Sequence, residues 1–173
     1  MQKVLFSFCI IFGLFACNNA PTDAIPLKVP EDQMTLHAQL TNEITRLMEE
    51  DSVQWDAVIA LSDSAQATFW YAPEVFVSEA FAWYNLGEMA KADSVFTHIR
   101  NLYDRRLRQR ADFSDAVNRA FVSGCLYGSE VFIAELDSLA KLKAYRPDSA
   151  ELTMWRETLP ETLEQLLARD EEH

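Results

Sequence analysis

The stretch from Ala72 to Arg106, APEVFVSEAFAWYNLGEMAKADSVFTHIRNLYDRR, constrains the fold more than any other part of the chain. Apolar residues recur at spacings of three and four on both sides of Gly87, Glu88 and Met89, the pattern of two amphipathic helices joined by a tight turn. Phe76, Ala80 and Trp83 form the inner side of the first helix, and Met89, Ala92, Phe96, Ile99 and Tyr103 that of the second. Small side chains at Ala80 and Ala92 let the two helices approach closely. Pro73 suits the first helical position, where its missing donor would be unpaired in any case.

The rest of the body parses into further hairpins. A helix over 33–49 carries Leu36, Leu40, Ile44 and Leu47 or Met48 on one face. Asp51 and Gln54 form a capping-box-like pair for a second helix with Ala57, Ala60, Leu61 and Ala65 inward, and Phe69, Trp70 and Tyr71 close that hairpin. Asp112 or Ser114 caps a fifth helix with Phe113, Val117, Ala120 and Phe121 inward. Ser129 starts a sixth with Phe132, Leu136, Leu139 and Ala140. Asp148 and Glu151 cap a last, short hairpin carrying Leu152, Trp155 and Leu159 before Pro160, and Leu163, Leu166 and Leu167 after it. The expected fold is all-α, with about eight helices in four hairpins. A composition that is 49% apolar with only 4 Gly fits helix-on-helix packing and excludes a disordered or fibrous chain.

The central unit resembles the tetratricopeptide repeat. Starting from Pro73, Phe76, Ala80 and Trp83 take the large, small and aromatic positions of the repeat's first helix. Gly87 takes the turn, and Ala92 and Phe96 the small and large positions of the second helix. Glu79, Ile99 and Asp104 depart from the family pattern, which prefers Leu, Ala and Pro there. Ala57 precedes Ala92 by 35 residues and Leu61 precedes Phe96 by 35, close to the family's period of about 34. The resemblance implies a superhelix of stacked antiparallel hairpins over 33–173. Its concave face, lined by the first helix of each pair, would bind another protein or peptide. On this register Val77, Phe81, Tyr84 and Asn85 belong to that face, with Asn118 and Val122 as counterparts in the next hairpin.

The N-terminus carries different information. MQKVLFSFCIIFGLFAC sets Lys3 before an apolar run from Val4 to Phe15 that covers about 18 Å as a helix, too short for a bilayer core of about 30 Å. It is expected to be an export signal, 1–16. Its end, Leu14 to Cys17, resembles the lipobox of bacterial lipoproteins, with Phe15 bulky for its place. The resemblance implies cleavage before Cys17, acylation of Cys17, and a protein of the cell envelope, anchored by lipid to the outer membrane and facing the periplasm. Two or more acyl chains, at about 0.8 kcal/mol per buried CH₂, would anchor it stably. Residues 17–32, with prolines at 21, 26 and 30, read as the lipidated Cys and a flexible tether. Cys125 is then the single remaining thiol, expected to be buried and structural, with no intramolecular disulfide.

No chemistry-bearing constellation stands out. His37, His98 and His173 lack metal-ligand spacing and are expected to be solvated, and no P-loop, G-x-S-x-G or H-E-x-x-H occurs. We therefore expect neither cofactor, metal nor enzymatic activity. A net charge of −12, moving to −13 when Lys3 leaves with the signal, opposes nucleic-acid binding. Against it stand Arg100, Arg105, Arg106, Arg108 and Arg110, either complementing the end of the fourth helix or forming a basic patch for an acidic partner. Two functions follow as expectations: a membrane-anchored scaffold that binds another envelope protein, or an acidic inhibitor or immunity lipoprotein that blocks a basic toxin or hydrolase.

Overall fold

A computed structural model describes residues 24–50, 52–142, 152–157, 159–160 and 163. After a 3-10 turn at Glu31–Gln33 come six α-helices: α1 Met34–Met48, α2 Trp55–Phe69, α3 Glu74–Asn85, α4 Met89–Gln109, α5 Phe113–Tyr127 and α6 Ser129–Ala140. Residues 152–157, 159–160 and 163 are helical as well. Each helix from α1 to α6 packs against its neighbours in the chain, so the fold is an all-α stack of helical hairpins. Leu166 and Leu167, the Asp148–Glu151 cap and Asp51 lie outside the described residues.

Backbone chemistry fixes the turns. Gly87 has φ +74°, donates to the Tyr84 carbonyl at 3.0 Å, and the Glu88 N–H reaches back to the Trp83 carbonyl at 2.9 Å. These two bonds form a Schellman motif, which needs a left-handed residue at its centre. Gly128, at φ 98° and ψ 162°, occupies a region open essentially to glycine alone and joins α5 to α6 with a single residue. Asp112 caps α5 by accepting from the Asp115 N–H at 3.2 Å, which settles the choice between Asp112 and Ser114.

The core follows two sequence offsets. Val58, Ser62, Ala65 and Phe69 of α2 are buried, as are Ala92, Phe96, Ile99 and Tyr103 of α4, each 34 residues later. Phe76, Ala80 and Tyr84 of α3 match buried Ala116, Ala120 and Gly124 of α5 at an offset of 40. The offset grows because α4 has 21 residues where α2 has 15.

Several expectations are corrected. The inward face of α2 is not the set of small residues: Ala60 is exposed and Ala57 and Leu61 are half-buried, while Val58 and Ile59 take the core positions. The helix starts at Trp55 with Gln54 as a cap that makes no side-chain hydrogen bond, so its face is turned by one residue, from an offset of 35 to one of 34. Leu36 is 44% exposed, Met89 and Ala140 are exposed, and Trp83, Phe113, Phe121 and Leu139 are half-buried at the edge of the core. The tether is shorter than expected: Ile25 is buried in the main core and Val29 packs against it.

Gly124 sits at a close approach between α5 and its neighbours. A Cβ there would lie 2.9 Å from the Phe132 Cβ of α6 and 2.6 Å from a Leu163 methyl. Glycine is accepted in mid-helix because α6 and the C-terminal segment converge on that point.

Candidate functional site

The first helices of two successive hairpins, α3 and α5, face each other across a groove whose floor is Tyr103 of α4. Both contribute residues at i, i+3 and i+4, the spacing that puts three side chains on one helical face: Glu74, Val77 and Ser78 from α3, Asn118, Phe121 and Val122 from α5. The groove encloses about 330 Å³. Val77, Phe121 and Val122 give it an apolar wall. Glu74, Ser78 and Asn118 give it polar groups at the rim. Tyr103 is 6% exposed, and its hydroxyl pairs with the Asn118 side chain. Burial, with the Glu74 charge next in weight, pushes the Tyr103 phenol well above its ordinary range, so it stays a neutral hydrogen-bonding group.

Of the six residues expected on the binding face, Val77, Asn118 and Val122 line this groove. The other three do not. Phe81 is buried edge-to-face against Phe96 with ring centroids 5.4 Å apart, and Tyr84 is buried in the same core. Asn85 turns back on its own helix, donating to the Phe81 carbonyl at 2.8 Å. α3 is covered by both α2 and α4, so its residues at 81 and 84 meet helices where an uncovered helix would meet solvent. Glu74 and Ser78 line the groove without having been expected there, and Tyr103 and Phe121, expected inward, line it as well. The repeated i, i+3, i+4 triples were the available signal, and locating them required knowing which sides of α3 its neighbours cover.

The five arginines are not a free basic surface. Arg106 and Asp115 form an ion pair at 3.0 Å, their side chains 13% and 8% exposed. Arg110 pairs with Asp112 at 2.8 Å. Arg100 donates to the Ser123 hydroxyl at 3.0 Å and lies over the Tyr127 ring. Arg105 is half-buried, and Arg108 is exposed. In the opposite sense Arg119 of α5 bridges Asp104 of α4 and Glu135 of α6, at 2.6 Å each. The end of α4 lies along α5, whose first turn is acidic, and the cationic run joins the two helices.

His37 is less solvated than expected, whereas His98 is exposed as expected. His37 stands edge-to-face on Phe69, with its Nε2 out of solvent and 3.6 Å from Glu74, too far for a hydrogen bond. His98 tilts against Phe76 at 4.7 Å, and partial burial holds it below the usual imidazole value. His173 and Cys17 lie outside the described residues. Cys125 is buried and free, its thiol pushed up to about 12 by burial. Among the described residues there is no cluster of metal-ligating side chains, and no helix is long and apolar enough to cross a membrane. Comparison with protein-family models, with curated proteins and with solved structures finds no match to this chain.

Proposed function

We propose that this protein is a lipid-anchored, tetratricopeptide-repeat-like scaffold of the bacterial envelope, which holds an extended segment of another envelope protein in the α3–α4–α5 groove and performs no catalysis of its own. The observation that carries this is the pair of matched triples, Glu74–Val77–Ser78 and Asn118–Phe121–Val122, set across one cleft. Such a cleft takes an apolar side chain against Val77, Phe121 and Val122. Asn118 and Ser78 can hydrogen-bond the main chain on either side, the combination by which an extended peptide is gripped. The lipobox-like end of the leader supports anchoring at Cys17. With Ile25 docked in the core, the eight steps from Cys17 span at most roughly 28 Å, so the body would stay close to the bilayer surface.

The test is capture in the native envelope. A photo-crosslinking residue at position 121 should trap a protein partner, and Asn118→Arg, at an exposed position that fills the groove, should abolish trapping while the protein stays folded, losing only about 1 kcal/mol with the Tyr103–Asn118 hydrogen bond. Cys17→Ser should release the protein from the membrane fraction. Trapping that survives Asn118→Arg but vanishes in high salt would replace this reading with that of an acidic inhibitor, whose association depends on its charge.

A further inference from the structure

α3 has a second, quite different side. At 100° per residue, Phe76 and Glu79 project roughly opposite to Glu74, Val77 and Ser78. Together with Gln66 of α2 and Ser94, Val95 and His98 of α4 they line another cavity, of about 300 Å³. Glu79 is only 9% exposed. Its carboxylate accepts from Gln66 Nε2 at 2.5 Å and from Trp83 Nε1 at 3.0 Å. Both donors are neutral, and among the described residues no Lys or Arg lies within ion-pairing distance of it.

A carboxylate taken out of water without a counter-charge is costly, and carboxylates in such places are normally paired. An ionised carboxylate can accept about four hydrogen bonds, and two are made, so each oxygen keeps acceptor capacity in a residue that lines the cavity. Phe76 adds a ring to which a cation is attracted, and Ser94 adds a hydroxyl acceptor. The chain's net charge of −12 raises the local concentration of cations.

We propose that the cavity between α2, α3 and α4 is a binding site for an organic cation, an ammonium or guanidinium group seated against Glu79. The site is independent of the α3–α4–α5 groove and stands whether or not that groove binds a partner. Its cation can come from a free amine or from a basic side chain.

Binding is tested on the whole chain by calorimetry and by the indole N–H resonance of Trp83, which reports on Glu79 directly. The probes are agmatine, N-acetyl-arginine amide and the neutral isostere N-acetyl-citrulline amide. Agmatine or the arginine amide should bind with a Kd below about 1 mM and shift the Trp83 signal, while the citrulline amide should not. Tighter binding of the arginine amide identifies a basic side chain as the natural ligand, and tighter binding of agmatine a free amine. Glu79→Gln, nearly isosteric, should weaken binding at least tenfold, and Asn118→Arg in the other groove should leave it unchanged. Should Glu79→Gln not fold, Ser94→Lys serves instead: it places a cation at the cavity from an exposed position and should both abolish binding and raise the unfolding midpoint. No Trp83 shift with either cation up to about 10 mM, or an equal response to the citrulline amide, or binding unaffected by either substitution, overturns the proposal.

Discussion

The hairpins α1–α2 and α3–α4 differ most in their first helices. α1 has 15 residues and buries only Ile44; α3 has 12 and buries seven. The cause is position in the stack. α3 lies between α2 and α4, so apolar or small residues occupy most of its circumference, whereas α1 rests on α2 and the 3-10 turn. Their turns differ too: a Gly87-centred Schellman motif closes the central hairpin tightly, and a longer connection over 49–54 joins α1 to α2. A hairpin in the middle of a stack is held from both sides. One at the end can afford charge on its open face, as in the exposed Glu43–Arg46–Glu50 cluster.

Side-chain truncation should show the contrast at its largest. Phe96→Ala should cost about 3–5 kcal/mol in denaturant unfolding, because Phe96 is 1% exposed against helices on both sides. Leu36→Ala should change stability by less than about 0.5 kcal/mol. Equal losses would mean that α1 is covered by something further, and would break the comparison.

Ion pairs should divide the same way. Arg106→Met strands the Asp115 carboxylate in the interior and should cost about 3 kcal/mol or more, while Arg106→Met with Asp115→Leu should recover most of the loss. Arg46→Met should leave the unfolding midpoint where it was, since water screens that cluster. An Arg106→Met protein as stable as the wild type would place the α4–α5 joint at the surface.

The central stack also buries a thiol. The Cys125 pKa is raised from 9.0 to about 12 in the folded protein by burial, so its contribution is fully present below pH 9 and is lost as the pH climbs through 12. Unfolding free energy should therefore fall by about 1 kcal/mol per pH unit in that window. The buried Tyr103 phenol, also raised, acts in the same direction, and Cys125→Ala isolates the thiol's share. A wild-type slope matching that of Cys125→Ala would show a solvated thiol.

The smallest expected effect compares α2 with α4 at equivalent positions. Ser62 stands where α4 has Phe96, fully buried with its hydroxyl unpaired. Ser62→Ala should stabilise the protein by about 1 kcal/mol, because an unpaired buried hydroxyl is removed and Ala favours helix. A loss of stability on unfolding in urea would show that the hydroxyl has a partner, for instance a buried water.

Much of the helical body was legible in the sequence. Periodicity from Ala72 to Arg106 gave both central helices, Gly87 gave their turn, and the cap of α5 was narrowed to Asp112 or Ser114, because each rests on local bonding within a few residues. The candidate site was half legible. Val77, Asn118 and Val122, expected on a partner-binding face, line the groove, whereas Phe81 and Tyr84 are core because α2 and α4 close over α3. The aromatic letters that seemed best suited to grip a partner are the ones the fold needed for itself.

Three to four residues of spacing decide a helix, and the sequence alone determined the helices and their order, whereas the inward stripe of α2 is turned by one residue to Val58 and Ile59. How far each helix is covered, which cations meet which acids and where grooves remain depend on groups carried by different helices. The pairing of Arg106 with Asp115, the docking of Ile25 and the uncompensated Glu79 were decided by tertiary packing, since burial and Coulomb energy depend on distance in space and not on distance along the chain.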